Sequence, residues 1–150
     1  NYKFAVFLIF PMKNIAVILA GGSGQRCGFD KLFSPTENGE IVISQTLKIF
    51  QNCPKIDEII LVASTSNLIQ AEEFKNNFQK IKKVITGGAE RFFSLEKALK
   101  FLQTENKDAR IIVHNGANPN LKNDELLAGL EFSQEKKSVI FGFMMIDSCK

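Results

Sequence analysis

A run of apolar residues that breaks abruptly into glycines decides most of what this chain can fold into: Ile15-Ala-Val-Ile-Leu-Ala-Gly-Gly-Ser-Gly-Gln-Arg-Cys-Gly-Phe-Asp-Lys31. Ile15 to Leu19 is apolar throughout and carries β-branched Ile15, Val17 and Ile18. That pattern reads as a strand buried on both faces, as in a parallel sheet. Ala20, Gly21, Gly22, Ser23 and Gly24 follow, and then the cations Arg26 and Lys31. Glycines let a backbone approach a ligand closely. Consecutive N–H groups in such a turn can converge on an anion that nearby cations neutralise. The stretch reads as a phosphate-binding loop at the carboxyl end of a first strand.

Two familiar glycine motifs do not account for it. A P-loop requires a lysine directly after its last glycine and a Ser or Thr after that, and neither is present here. The dinucleotide fingerprint starts at Gly22 and Gly24, but its third glycine position is Cys27, and Glu37 and Glu40 lie in a polar turn rather than at a strand end. The plainer alternative is a strand-to-helix turn without a ligand; the Arg26 and Lys31 pair weighs against it.

The chain's 150 residues suit one domain with a real core, and 45% hydrophobic with 23% charged residues is ordinary for a globular protein. Net charge is +3 with scattered lysines, so electrostatics do not suggest a nucleic-acid partner. Cys27, Cys53 and Cys149 form no paired motif, which argues against a disulfide framework or zinc site and for a reducing, cytoplasmic location. Phe4 to Phe10 is apolar but too short to span a bilayer. Pro11 and Lys13 interrupt it as a signal peptide. The expected domain is therefore 12–150, starting at Met12, with residues 1–11 as an upstream extension.

Further along, Pro35, Asn38 and Gly39 mark a turn, and a helix is expected from about Ser44 until Pro54 ends it. Glu58–Ala63 reads as a second buried strand. A helix is expected from Ser64–Asn67 to about Lys80, with Leu68, Ile69, Ala71, Phe74 and Phe78 inward. Val84–Gly88 reads as a short strand. A helix over Glu90–Gln103 is expected to bury Phe92, Leu95, Leu99 and Leu102. Arg110–His114 reads as another buried strand, followed by a loop to Asn120 and a helix to about Ser133. Ser138–Ile146 is the last expected strand. Strands alternating with helices indicate an α/β fold with a mostly parallel sheet. In such sheets the ligand crevice lies at the carboxyl ends of the strands, so Gly21–Gly24, Gly87–Gly88 and His114–Pro119 should converge.

These loops carry a resemblance. Leu19-Ala-Gly-Gly-Ser-Gly-Gln-Arg26 is similar to the loop of the sugar nucleotidyltransferases, and Gly87-Gly-Ala-Glu-Arg-Phe-Phe-Ser94 to the signature of the 2-C-methyl-D-erythritol 4-phosphate cytidylyltransferases. Val113-His-Asn-Gly-Ala-Asn-Pro119 and Met145-Ile-Asp-Ser-Cys-Lys150 resemble that family's third and fourth motifs. The resemblance implies a Rossmann-like α/β/α nucleotidyltransferase domain. It also implies transfer of a cytidylyl group from CTP to 2-C-methyl-D-erythritol 4-phosphate with Mg²⁺, in isoprenoid-precursor synthesis.

On that resemblance Arg26 and Lys31 are the catalytic cations. Ala20, Gly21, Gly22, Gly24, Gly88, Ala89 and Ser94 are nucleotide-contacting positions, and Asn118 and Ser148 face the acceptor. Family members continue beyond this chain's last motif with a dimerisation arm, a second metal-binding aspartate and a further lysine. The chain thus reads as a fragment, with a homodimer allowed for the full-length protein and neither nucleic acid nor membrane as partner.

Asn115, Asn118, Ser148 and Asp30 are departures from the family pattern that bear on the chemistry. Asn115 stands where the family has a magnesium-binding aspartate, and an amide offers Mg²⁺ an oxygen without a charge. Asn118 stands for an arginine and loses its bidentate grip on phosphate. Ser148 replaces threonine and keeps the hydroxyl. The interval from Arg26 to Lys31 is short, and Asp30 replaces a proline, a detail closer to molybdenum-cofactor guanylyltransferases. Two other functions stay open: transfer to another sugar or polyol phosphate, and nucleotide binding without catalysis. His114 reads as a strand-end residue rather than a ligand.

Overall fold

The computed structural model describes residues 12–21, 32–105 and 109–135. Two compact units divide at Pro119 and Asn120. In the first, β1 (Lys13–Ala20) is buried without a break from Ile15 onward. It pairs in parallel with β2 (Glu58–Ala63) on one side and β4 (Ala109–Asn115) on the other, and β2 pairs with β3 (Ile81–Thr86). The order is β3-β2-β1-β4. The chain therefore steps outward from β1 to β3 and then returns to the far side of β1. That reversal opens a crevice at the carboxyl ends of β1 and β4.

Each face of the sheet is covered by a helix. Ile15, Val17, Leu19, Ile60 and Val62 pack with Ala98 and Leu102 of α3 (Arg91–Glu105). Alternate residues point the other way. There the His114 ring lies 5.1 Å from Phe50 of α1 (Val42–Asn52). α1 buries Ile43, Thr46, Leu47 and Phe50, one stripe at helical spacing. Pro54, without an N–H to continue the ladder, follows its end. At the β3 edge a register shift beside Ile59 and Ile60 leaves both Lys82 and Lys83 exposed. A bulge and charge of this kind discourage further strand pairing.

Several expectations need correcting. The helix expected from Ser64 to Lys80 is a broken segment: a 3₁₀ turn, α2 (Leu68–Glu73) and a second 3₁₀ turn at Phe74–Asn76. The Phe74 carbonyl accepts from both Asn77 and Phe78, which tightens the chain to turn into β3. Ile69 is 81% exposed, because Ala71, Phe74 and Phe78 alone fill the inner side of this short segment. β3 begins three residues earlier than expected, at Ile81.

In α3 the buried stripe is Ser94, Ala98 and Leu102, while Phe92 is 68% exposed. Small residues at 94 and 98 let the helix approach the sheet closely, which turns Phe92 outward. Nor is β4 buried throughout, with Ile111 37% and Val113 39% exposed. They share the α3 face with Ile15 and Val17, but α3 lies over β1, β2 and β3. The expected strand at 138–146 and residues 1–11 lie outside the described residues.

The second unit contains α4 (Asn123–Glu135), with Asp124 and Glu125 in its first turn. Negative charge is favourable there. The Glu125 carboxylate also accepts the Lys122 backbone N–H at 2.9 Å.

Ala98 is fully buried against β1 and β2. Ala98→Leu should force α3 off the sheet and cost about 1–3 kcal/mol, read as a lower urea midpoint with little change in slope.

Candidate functional site

The β3–α3 connection is built around one hydroxyl. Ser94, 3% exposed, accepts the Gly88 N–H at 3.0 Å and donates to the Glu90 carbonyl at 3.2 Å. The Gly87 N–H extends the sheet ladder by one bond to the Ala63 carbonyl, 2.8 Å, and the Lys97 ammonium donates to the Gly87 carbonyl at 3.0 Å. No side chain fits at the two glycines. A Cβ on Gly87 would lie 2.8 Å from Ser94 Oγ, and one on Gly88 would lie 2.3 Å from Phe93 Cβ. A Cβ on Gly87 would also stand 3.5 Å from the Gly21 Cα, so this loop touches the end of β1.

The loop after β4 is closed by its own polar groups. Asn118 N–H donates to the Asn115 carbonyl at 3.0 Å, and Ala117 N–H to Asn115 Oδ1 at 3.2 Å. His114 Nε2–H donates to the Asn118 carbonyl at 2.9 Å. Gly116 N–H reaches the Leu19 carbonyl at 2.9 Å, again one step beyond the regular ladder. Burial chiefly, with the positive charge of Arg91 adding, pushes the His114 imidazolium below its ordinary value of 6.5, partly offset by the Asn118 carbonyl.

Between these loops lies a cleft of about 370 Å³ lined by Leu19, Gly21, Ala89, Glu90, Arg91, Ser94 and Asn115. It stands at the reversal of strand order, with the N-terminus of α3 on its wall. Unpaired N–H groups and the helix dipole make such an end favourable for an anion. Glu90 and Arg91 put one charge of each sign beside it.

Of the residues singled out from sequence, Gly21, Ala89, Ser94 and Asn115 thus share one cleft. Ala20 is buried as the last residue of β1 and Gly88 is held by Ser94. Asn118 is exposed and joins the loop through its backbone, and its side chain is not on the cleft lining. Gly22, Gly24, Arg26, Lys31 and Ser148 lie outside the described residues. Among the described residues no group of three or more His, Cys, Asp or Glu could hold a metal ion. Sequence reasoning missed Glu90 as a cleft residue and gave Arg91 no role; their place at the start of a helix behind a glycine pair was the available signal.

The family described as 2-C-methyl-D-erythritol 4-phosphate cytidylyltransferase matches residues 14–150. The enzyme of that name from Clostridium tetani is 35% identical, covering 92% of this chain and 56% of its own. A bifunctional ribulose 5-phosphate reductase/CDP-ribitol pyrophosphorylase from Haemophilus influenzae is 39% identical, covering 71% of this chain and 23% of its own. Among solved structures, a 4-diphosphocytidyl-2C-methyl-D-erythritol synthase superposes with a TM-score of 0.70 at 22% identity, over 85% of this chain and 56% of that one. The Francisella tularensis cytidylyltransferase gives 0.64 at 24% identity, over 83% and 54%. These superpositions establish the fold. The chain spans just over half the length of the Clostridium tetani relative.

Ser94→Ala should leave the Gly88 N–H without its acceptor and cost about 1–3 kcal/mol, with faster exchange at the Gly88 amide by NMR. His114 binds its proton more weakly folded than unfolded, so its contribution is full above 6.5 and is lost as pH falls below that value toward the depressed folded one. The urea midpoint should therefore drop as pH is lowered through 6.5 toward the depressed folded value, and His114→Gln should flatten that drop.

Proposed function

Because the chain belongs to the 2-C-methyl-D-erythritol 4-phosphate cytidylyltransferase family, we propose that its protein transfers a cytidylyl group from CTP to 2-C-methyl-D-erythritol 4-phosphate. A phosphate oxygen of the acceptor attacks the α-phosphorus of CTP. One P–O bond forms, the bond to the β-phosphate's bridging oxygen breaks, and pyrophosphate leaves. The observation that carries this reading is the convergence of Gly21, Ala89, Ser94 and Asn115 on one cleft at the switch point of the sheet.

Such chemistry needs positioning and charge neutralisation more than an acid or base. Arg26 and Lys31 neutralise the triphosphate, and the backbone from Ala20 through Gly21, Gly22 and Gly24 cradles it. Gly88, Ala89 and Ser94 take the nucleoside; Ser148 and Asn118, the latter exposed beside the cleft rather than on its lining, are the residues assigned to the acceptor. Asn115 Oδ1 spends one lone pair on Ala117 N–H and, among the described residues, has the second to offer a cation. That suits a Mg²⁺ carried mainly by substrate phosphates, with Asn115 as one of the residues that would hold it. When bound, the ion neutralises charge on the phosphates. The family match over 14–150 supports a nucleotidyltransferase domain that takes in 12–150. Among the described residues no helix is long and apolar enough to cross a membrane. The cytoplasm, where CTP is made, is the proposed location, and a homodimer the proposed assembly of the full-length protein.

Pyrophosphate release from CTP and 2-C-methyl-D-erythritol 4-phosphate with Mg²⁺, run on the full-length protein, tests the reading. Lys31→Ala should lower turnover at least ~100-fold, about 3 kcal/mol, and weaken CTP binding less. Asn115→Asp should hold or raise turnover, since it adds the charge that attracts Mg²⁺. A ribitol phosphate belongs beside the first acceptor, because the Haemophilus influenzae relative is named for CDP-ribitol. CTP binding with no release on any sugar or polyol phosphate would make the protein a binder instead.

A further inference from the structure

Two polar side chains among the described residues are buried almost completely, Ser94 at 3% and Thr46 at 0% exposure. Ser94 holds the loop on one side of the cleft. Thr46 lies in the apolar stripe of α1, between Ile43, Leu47 and Phe50. Its hydroxyl donates to the Gly116 carbonyl at 2.8 Å, a partner seventy residues away. A hydroxyl in such a place is costly unless bonded. Its own helix offers a carbonyl one turn back, yet the bond goes to the loop.

That choice matters for the loop. The bonds among His114, Asn115, Ala117 and Asn118 set the internal shape of the turn but do not place it against the rest of the molecule. Gly116 does that from both ends of the residue: its N–H is held by Leu19 of β1 and its carbonyl by Thr46 of α1. Asn115 and Asn118 flank it.

Building on the cytidylyltransferase reading, we propose that Thr46 is a positioning residue for the metal and acceptor side of the site, acting through Gly116. Without the hydroxyl, the Gly116 carbonyl is left buried and unpaired, and its peptide is held only through the Ala117 N–H on Asn115 Oδ1. Asn115 and Asn118 then shift together. A displacement of about 1 Å can cost on the order of 100-fold in rate. The Gly87–Ser94 wall has its own hydroxyl and does not depend on Thr46.

The test compares Thr46→Val, which keeps the shape and loses the donor, with Thr46→Ser, which keeps the donor, in the full-length protein. Thr46→Val should raise KM for 2-C-methyl-D-erythritol 4-phosphate roughly tenfold and lower kcat about tenfold or more, leaving KM for CTP within about twofold. Thr46→Ser should match the wild type. A residue of stability alone would reduce the active fraction and leave both KM values unchanged, and that result overturns the proposal. Equal increases in both KM values overturn it too.

Hydrogen exchange by NMR decides the matter without activity. In Thr46→Val the Gly116 and Ala117 amides should exchange at least ~10-fold faster while Gly88 and β1 keep their protection. Unchanged exchange at Gly116 and Ala117 overturns the proposal. A wild type that releases no pyrophosphate defeats the cytidylyltransferase reading, and the exchange data still judge Thr46. If Thr46→Val does not fold, Thr46→Ala replaces it; failure of both to fold makes Thr46 a residue of stability and ends the proposal.

Discussion

Everything in the first unit depends on β1 being flanked on both sides and covered on both faces. Ile15 to Ala20 is buried throughout, and its backbone pairs in parallel with β2 and β4. A strand so placed requires helices on each face, and parallel neighbours require crossovers to supply them. With β2 and β3 laid to one side, β4 is left the other. The crevice at the carboxyl ends of β1 and β4 follows from that single reversal, before any side chain in it is considered.

The crevice is walled by loops that begin as extensions of the sheet. Gly87 and Gly116 each donate one more bond to a neighbouring strand, to Ala63 and Leu19 respectively. Beyond that bond the regular ladder ends, and a buried hydroxyl takes over on each side, Ser94 for one loop and Thr46 for the other. In a low-dielectric interior a satisfied hydroxyl is a specific tether, because any other arrangement leaves a buried group unpaired. The two glycine positions at 87 and 88 are the counterpart of the Ser94 tether. A Cβ at either would meet Ser94 or Phe93 below ordinary contact distance.

Charge is distributed unevenly around this frame. Glu90 and Arg91 line the cleft, and the amide of Asn115 sits where a carboxylate would bring a full negative charge. An amide holds the turn through Ala117 N–H as a carboxylate would, so the loop's shape does not require the acid. Shape and electrostatics are therefore separable at this position. The exposed Asn118 side chain stands outside the cleft lining, and its structural contribution is made through its carbonyl to His114.

The parallel sheet, the loops after β3 and β4 at its carboxyl edge and the family were legible in the sequence, because each rests on local chemistry: continuous β-branched runs, a glycine pair directly behind one of them, and residues at fixed short spacing. Which face a residue took was less legible. Phe92 matched a helical apolar period, yet Ser94, Ala98 and Leu102 form the buried stripe, since how closely a helix can approach a sheet is decided by its smallest residues. Val113 and Ile111 carried the same signal as β1 and are half-exposed, because α3 lies over β1, β2 and β3, and which strands a helix covers is a property of strand order and not of composition. Thr46 gave no signal at all. A threonine in an apolar helix stripe acquires its meaning only when folding brings a carbonyl from seventy residues away to within 2.8 Å, and tertiary structure alone could decide that.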